Sequence, residues 1–174
     1  MANRLLLVAN VSKEHIRKFY IPFINLLQEY GWSVDVACRM DVPVPECNNA
    51  YDLPCDRNPF RGGVLKSIKI LKDILHKNTY DLLICSTVVG SVIARLAAAT
   101  FRKKGLKVIY MCHGIHFFPG ASVSRWIMGY PMEKLLASKT DVIIVTNDGD
   151  LEMAKKHLHI PIIEKSHSMV VNLK

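Results

Sequence analysis

Histidines, a glycine and aromatic residues gather in one short stretch, Lys107 to Ala121, which reads KVIYMCHGIHFFPGA. Its first part, Val108 to Cys112, is a continuous apolar run with the length and β-branched or aromatic flavour of a strand buried on both faces. The run breaks at His113-Gly114, continues through His116, Phe117 and Phe118, and closes on Pro119-Gly120. An imidazole at the end of a buried parallel strand can hydrogen-bond a ligand hydroxyl or phosphate. The plainer reading of His113 is a ring bonded to a neighbouring carbonyl. His116, Phe117 and Phe118 form an aromatic loop that either packs inward or lines a groove. Open α/β sheets bind their ligands at the carboxyl ends of the strands, so this stretch marks the edge to inspect.

Other residues with chemical potential carry less. Asp148-Gly149-Asp150 spells D-x-D, a pattern able to hold a divalent metal on a diphosphate. It falls in the first turn of a predicted helix, where acids favour the macrodipole without any ligand, and no metal site is assigned. His157 and His159 are two apart, the wrong spacing for one helical face, and are expected at the surface. The five cysteines form no C-x-x-C and leave one over from pairing. Three of them lie in predicted buried strands and read as small apolar residues of a reducing cytosol. Leu5 to Ala9 is followed by Asn10 to His15 with no glycine, so neither the G-x-G-x-x-G nor the P-loop pattern is met. No G-x-S-x-G nucleophile elbow occurs.

The elements that must position these residues follow from periodicity. The chain has 174 residues, half of them apolar and 22% charged, the profile of one folded domain. Leu5–Ala9 reads as a buried strand. Ile16, Phe19, Tyr20, Phe23, Ile24 and Leu27 mark one helical face closed by Gly31, with Pro22 either kinking the helix or marking its first turn after an ordered loop. Trp32–Cys38 is the second strand. A proline-rich passage, Asp41–Pro59, is loop with at most a short strand near Tyr51–Leu53. Leu65, Ile68, Leu71 and Leu75 mark an amphipathic helix with lysines on its polar face. Leu82–Cys85 is a buried strand, and Thr87 is positioned to cap a helix that is apolar nearly all round. Ser124–Ser138 reads as helix, bent or broken by Pro131. Asp141–Val145 repeats the pattern of an acid before an apolar run, Asn147 caps a helix ending near His159, and Ile162-Ile163 starts a last strand.

Alternating strands and helices of these lengths predict right-handed βαβ units and an α/β, doubly wound parallel sheet, Rossmann-like. With the first strand central, the switch in winding lies between it and Leu82–Cys85. The crevice there is lined by residues 10–15, 86–90, 113–118 and 146–148.

The formal charge of +8 is dispersed over Arg17-Lys18, Lys66, Lys69, Lys72, Arg102 to Lys104 and Lys155-Lys156. It favours anionic partners, either phosphate-bearing ligands or an anionic membrane surface. No aromatic-studded basic sheet points to nucleic acid. Leu5–Ala9 is too short for a signal-peptide core. Val88–Ala99, interrupted by Gly90, Ser91 and Arg95, falls short of the roughly 20 residues of a spanning helix.

In order and wording, the segments resemble the N-terminal domain of family 4 glycosyltransferases of the GT-B architecture, especially bacterial capsular and exopolysaccharide enzymes. The matching phrases are His15-Ile16-Arg17-Lys18-Phe19-Tyr20-Ile21-Pro22-Phe23, Arg57-Asn58-Pro59-Phe60, and Thr87-Val88-Val89-Gly90 with Ala94 to Ala98. They continue with His113 to Phe118 followed by Gly120-Ala121, Tyr130-Pro131-Met132-Glu133-Lys134, and Asp141 to Asn147. The match covers nearly the whole chain.

The resemblance implies a retaining transfer of sugar from a nucleotide-sugar, the co-substrate, to an acceptor, often a polyprenyl-diphosphate-linked saccharide at the cytoplasmic membrane face. It implies that this domain holds the acceptor, that no cofactor or metal is required, and that His113 sits near the transferring sugar. His113 is therefore the candidate catalytic residue. Asn10, Ser12, His15, Thr87, Gly90, Gly114, His116, Phe117 and Asn147 are the candidate substrate-binding residues. Basic and aromatic surface near Phe117, Phe118, Arg125 and Trp126 would suit a lipid-bearing acceptor, with peripheral contact at the membrane.

Two departures qualify the likeness. The family's first loop commonly contains glycine, and Asn10–Glu14 has none. His167–Lys174 resembles the junction to a second domain, with Ser168 and Val170 where glycines are expected. Residues 1–165 are thus expected to form one Rossmann-like domain and 166–174 to begin a linker to a donor-binding domain or partner chain. A non-catalytic assembly module and half of a sugar-nucleotide epimerase are the alternatives.

Overall fold

The computed structural model describes residues 3–56 and 62–166. The Arg57–Phe60 phrase and the His167–Lys174 tail lie outside the described residues. Seven strands form one all-parallel sheet in the order β3-β2-β1-β4-β5-β6-β7. They are β1 (Arg4–Val11), β2 (Ser33–Arg39), β3 (Asn49–Asp52), β4 (Leu82–Ser86), β5 (Lys107–Cys112), β6 (Val142–Val145) and β7 (Ile162–Lys165). The order reverses between β1 and β4, as the strand pattern predicts, and every strand ends at the same edge of the sheet.

Burial alternates along the central strand. Leu6 and Val8 of β1 enter a core shared with α2 (Val64–Lys77), α3 (Val88–Ala98) and α5 (Asp148–His157). Leu5, Leu7 and Ala9 enter the core on the opposite face, under Ile16, Tyr20 and Ile24. Central parallel strands are apolar on both sides because helices cover both faces. α3 is buried nearly all round, including Arg95. By contrast α4 (Val123–Ala137) buries only Leu136 and Ala137 fully and leaves Val123, Ile127, Met128 and Leu135 exposed. Pro131 sits within α4 without ending it.

One element differs in kind from its expectation. Ser12–Tyr20 is π-helical rather than an ordered loop, and α1 (Ile21–Glu29) begins where it ends, with Pro22 in its first turn. Proline is tolerated there because the first-turn N–H groups have no intrahelical partner. The wide turn starts directly at the end of β1, where its entry is fixed by side chains from the loop after β2. Asp41 accepts from the Ser12 hydroxyl at 2.6 Å and from the Lys13 backbone N–H at 2.9 Å.

The register of β1 slips by one residue against β2 between Val8 and Val11. Such a bulge re-aims the side chains beside it, and the two residues it contains are Ala9 and Asn10.

Candidate site at the switch point

Three adjacent strands, β1, β4 and β5, deliver His15, Ser86 and His113 to one crevice. His15 lies in the π-helical segment, and its Nε2 is 2.8 Å from the Oγ of the fully buried Ser86. The His113 ring meets the His15 ring edge to face, with centroids 5.3 Å apart and planes at 87°. One side of His113 is open to solvent, while the hydration lost on the other pulls its pKa below the ordinary histidine value. The neutral ring is the form present near pH 7.

Beside His113 is a cavity of about 350 Å³ lined by Thr87, Tyr110, His116, Phe118 and Arg125 among others. It continues into a groove of about 630 Å³ between α3 and α4. The two share Val88, Tyr110, Gly114, Ile115, His116 and Arg125. The groove beyond that junction is apolar, with Val89, Val92, Met128, Met132, Ile143 and Leu158 on its walls. The site therefore has a polar end at the histidines and a long apolar end.

Several candidate binding residues are instead engaged in holding the crevice together. Asn10 accepts from the Thr87 hydroxyl at 2.7 Å and from the Gly90 backbone N–H at 2.6 Å. It thereby caps α3 from a neighbouring strand. Thr87 occupies the N-cap position, but its side chain makes no capping bond; its φ of 65° is a left-handed-side value that a β-branched residue rarely adopts. Gly90 allows α3 to approach β1, since a Cβ there would lie 2.9 Å from the Ala9 carbonyl carbon. Ser12 is buried and bonded to Asp41 and the Val42 backbone. Asn147 caps α5 as expected, accepting from the Asp150 N–H at 2.8 Å, and its amide also donates to the Asp150 carboxylate.

Phe117 turns inward. It is fully buried against Trp126, Tyr130 and His157, so most of its ring is core, and His157 is part of that cluster rather than a surface residue. Gly114 has an ordinary φ and open space where a Cβ would stand, so it keeps the crevice open rather than making a strained turn. His113, His15, Thr87, Gly114 and His116 remain in contact with the cavity or the histidine pair, and Phe117, though buried, also borders the apolar groove.

A family model described as "Glycosyl transferase 4-like" matches residues 4–147. The chain belongs to the glycosyl transferase 4-like family. It is 36% identical over 155 residues to "Putative glycosyltransferase EpsD" of Bacillus subtilis (strain 168), spanning 89% of this chain and 40% of that protein. Among solved structures, a UDP-N-acetylglucosamine 2-epimerase shares the fold at TM-score 0.65 and 10% identity, over 93% of this chain and 47% of the epimerase. A sucrose-phosphate synthase from Thermosynechococcus elongatus does so at TM-score 0.61 and 15% identity, over 97% of this chain and 91% of that one. This glycosyl transferase 4-like chain thus spans less than half the length of EpsD and of the epimerase.

In this family member the D-x-D pair is divided between two structural roles. The Asp150 carboxylate accepts from the Ile115 backbone N–H at 3.0 Å, tying α5 to the His113 loop, and Asp148 pairs with Lys165 at 2.6 Å. Among the described residues no three His, Cys, Asp or Glu side chains gather as a metal site, and all five cysteines are free thiols.

The sequence placed Ser86 at the crevice without giving it a role, and Tyr110 and the Arg95–Glu133 pair beneath the groove of this family 4-like domain were missed. The signal for the last was present. An arginine in an otherwise apolar helix requires a buried acid, and Glu133 stands in the quoted Tyr130–Lys134 phrase.

Proposed function

We propose that this chain is the acceptor-binding half of a retaining glycosyltransferase that moves a sugar from a nucleotide-sugar to a lipid-linked saccharide in surface polysaccharide synthesis. The observation that carries this reading is the continuity of the polar cavity at His113 with the apolar groove between α3 and α4. A two-ended site suits a two-ended ligand, a saccharide at the histidines and an apolar chain along Val92, Met128 and Met132. Arg125 stands at the junction, where a phosphate linking the two parts would meet a guanidinium. His113 faces the transferring sugar in this scheme, and no cofactor enters besides the nucleotide-sugar itself.

The donor phosphates need electrostatic partners besides Arg125, which this reading gives to the acceptor's phosphate, and Asn10 and Ser12 are engaged within the fold. A donor-binding half supplies them in this reading, whether in the same polypeptide or in a partner chain. The 40% span of EpsD supports that arrangement. Among the described residues no helix is long and apolar enough to cross a membrane. The exposed Val123, Ile127, Met128 and Leu135 of α4, flanked by Arg125 and Lys134, would instead rest on the inner face of the plasma membrane.

The test is capture of a donor-domain partner from the native source, followed by transfer assays with a panel of nucleotide-sugars. Acceptors would be compared with and without a polyprenyl-diphosphate tail. Transfer only in the complex, and only to tailed acceptors, is expected. Equal transfer to untailed saccharides would remove the lipid from the reading. No transfer with any donor would leave a non-catalytic assembly module.

A further inference from the structure

The histidine pair contains a relationship that the acceptor reading does not use. His113 follows β5 directly, with Gly114 next to it. No hydrogen bond among the described residues fixes its ring. What touches the ring instead is His15, edge to face at 5.3 Å. His15 is itself fixed from three sides. Ser86 holds its Nε2 at 2.8 Å, and the rings of Tyr20 and Phe19 pack on it at centroid distances of 5.4 and 5.6 Å.

Behind this group, the Tyr20 hydroxyl is buried beside Ser86 without a partner in hydrogen-bonding geometry. Burial pushes that phenol up to about 12, against a smaller opposite effect of Ser86, so it stays protonated. A neutral hydroxyl there leaves Ser86 and His15 without a competing charge. Ser86 is fully buried at the end of β4, the strand next to both β1 and β5. The sheet therefore sets where the His15 ring stands.

We propose that His15 is a positioning residue, which Ser86 anchors so that its ring holds the His113 imidazole turned into the crevice. This rests on the reading of His113 as the residue facing the transferring sugar, and it changes the role of His15 from ligand contact to orientation. The other titratable or charged side chains around the His113 cavity are Tyr110 from β5, His116 from the loop and Arg125 from α4.

The experiment is imidazole ¹⁵N NMR titration of this chain as wild type, His15→Ala, Ser86→Ala and the double variant, with backbone amide spectra checking the fold. In His15→Ala the His113 midpoint is expected to rise toward the ordinary value of about 6.5, because hydration returns to the uncovered ring face. In Ser86→Ala a smaller rise and loss of the His15–His113 ring NOE are expected. The double variant should match His15→Ala alone, since Ser86 acts through His15. An unchanged midpoint in His15→Ala, or additive shifts in the double variant, would overturn the proposal. If Ser86→Ala disturbs the amide spectrum, Ser86→Thr, which keeps the hydroxyl, should leave the midpoint at the wild-type value. None of these readouts requires transfer activity, so the acceptor reading can fail while the positioning role stands.

Discussion

Arg95 and Glu133 form a two-point ion pair beneath the α3–α4 groove, Nη1 to Oε2 at 2.8 Å and Nη2 to Oε1 at 3.1 Å. The guanidinium also lies over the Tyr110 ring, 4.2 Å from its centroid. Its remaining contacts are to Ser91, so the charge is enclosed on every side. α4 buries few residues of its own, which makes this pair its main tie to α3. Glu133→Ala is expected to lower stability by about 3–5 kcal/mol, because it leaves a buried guanidinium unpaired. The double variant Arg95→Met, Glu133→Leu should recover much of that loss. Urea unfolding of the three proteins measures both.

Asn10→Ala removes the acceptor for the Gly90 N–H and the Thr87 hydroxyl. A loss of about 1–2 kcal/mol is expected from the missing cap. Asn10→Asp keeps both acceptor roles and should lose less. Thermal unfolding of the pair against wild type reads the difference, and an equal loss would mean that the amide group matters beyond acceptance.

Gly114→Leu tests the cavity without testing the backbone. A Cβ at Gly114 meets nothing within 4 Å. The variant should keep wild-type unfolding behaviour while the leucine occupies the junction of cavity and groove. Acceptor binding, read by titration calorimetry, is expected to fall at least about tenfold.

His113→Ala should abolish transfer in the assembled two-half enzyme and change the unfolding midpoint little, since one side of the ring is open to solvent. Steady-state turnover with the saturated donor measures it. Unimpaired turnover would remove His113 from the reacting centre.

The pH dependence of stability has a sign set by Asp141. Burial raises its pKa, but the two-point Arg102 contact at 2.7 and 3.1 Å and the Val108 N–H outweigh this and lower it below the usual value. The stabilisation is therefore present above the unfolded value of about 3.9 and lost as pH falls through the folded one. The gap in urea midpoint between wild type and Asp141→Asn should be widest near pH 7 and shrink below about pH 4.

The sheet was readable because buried parallel strands announce themselves as apolar runs, and each of β1, β4, β5 and β6 does so. The caps were only half readable. Asn147 caps the helix that follows it, a local relation that spacing reveals. Thr87 looks like the same device, yet the cap of α3 comes from Asn10, 80 residues before Gly90, through a bulge that no periodicity encodes. Phe117 and Phe118 are neighbours with the same side chain, and only the packing of Trp126, Tyr130 and His157 decides which faces in. His15 stood in the quoted phrases, but its bond to Ser86 joins residues 71 apart, and only the strand order brings them together.

The π-helical turn between Ser12 and Tyr20 has a consequence for how this segment can vary. Its backbone bonds close on the fifth residue rather than the fourth. Removing one residue would therefore let the segment rewind as an α-helix and swing His15 away from Ser86. Substitutions at Lys13, Arg17 or Lys18, which face solvent, leave that count untouched. Those three positions should tolerate exchange, Ser12, His15, Ile16, Phe19 and Tyr20 are held by their contacts, and the segment as a whole should reject insertion or deletion.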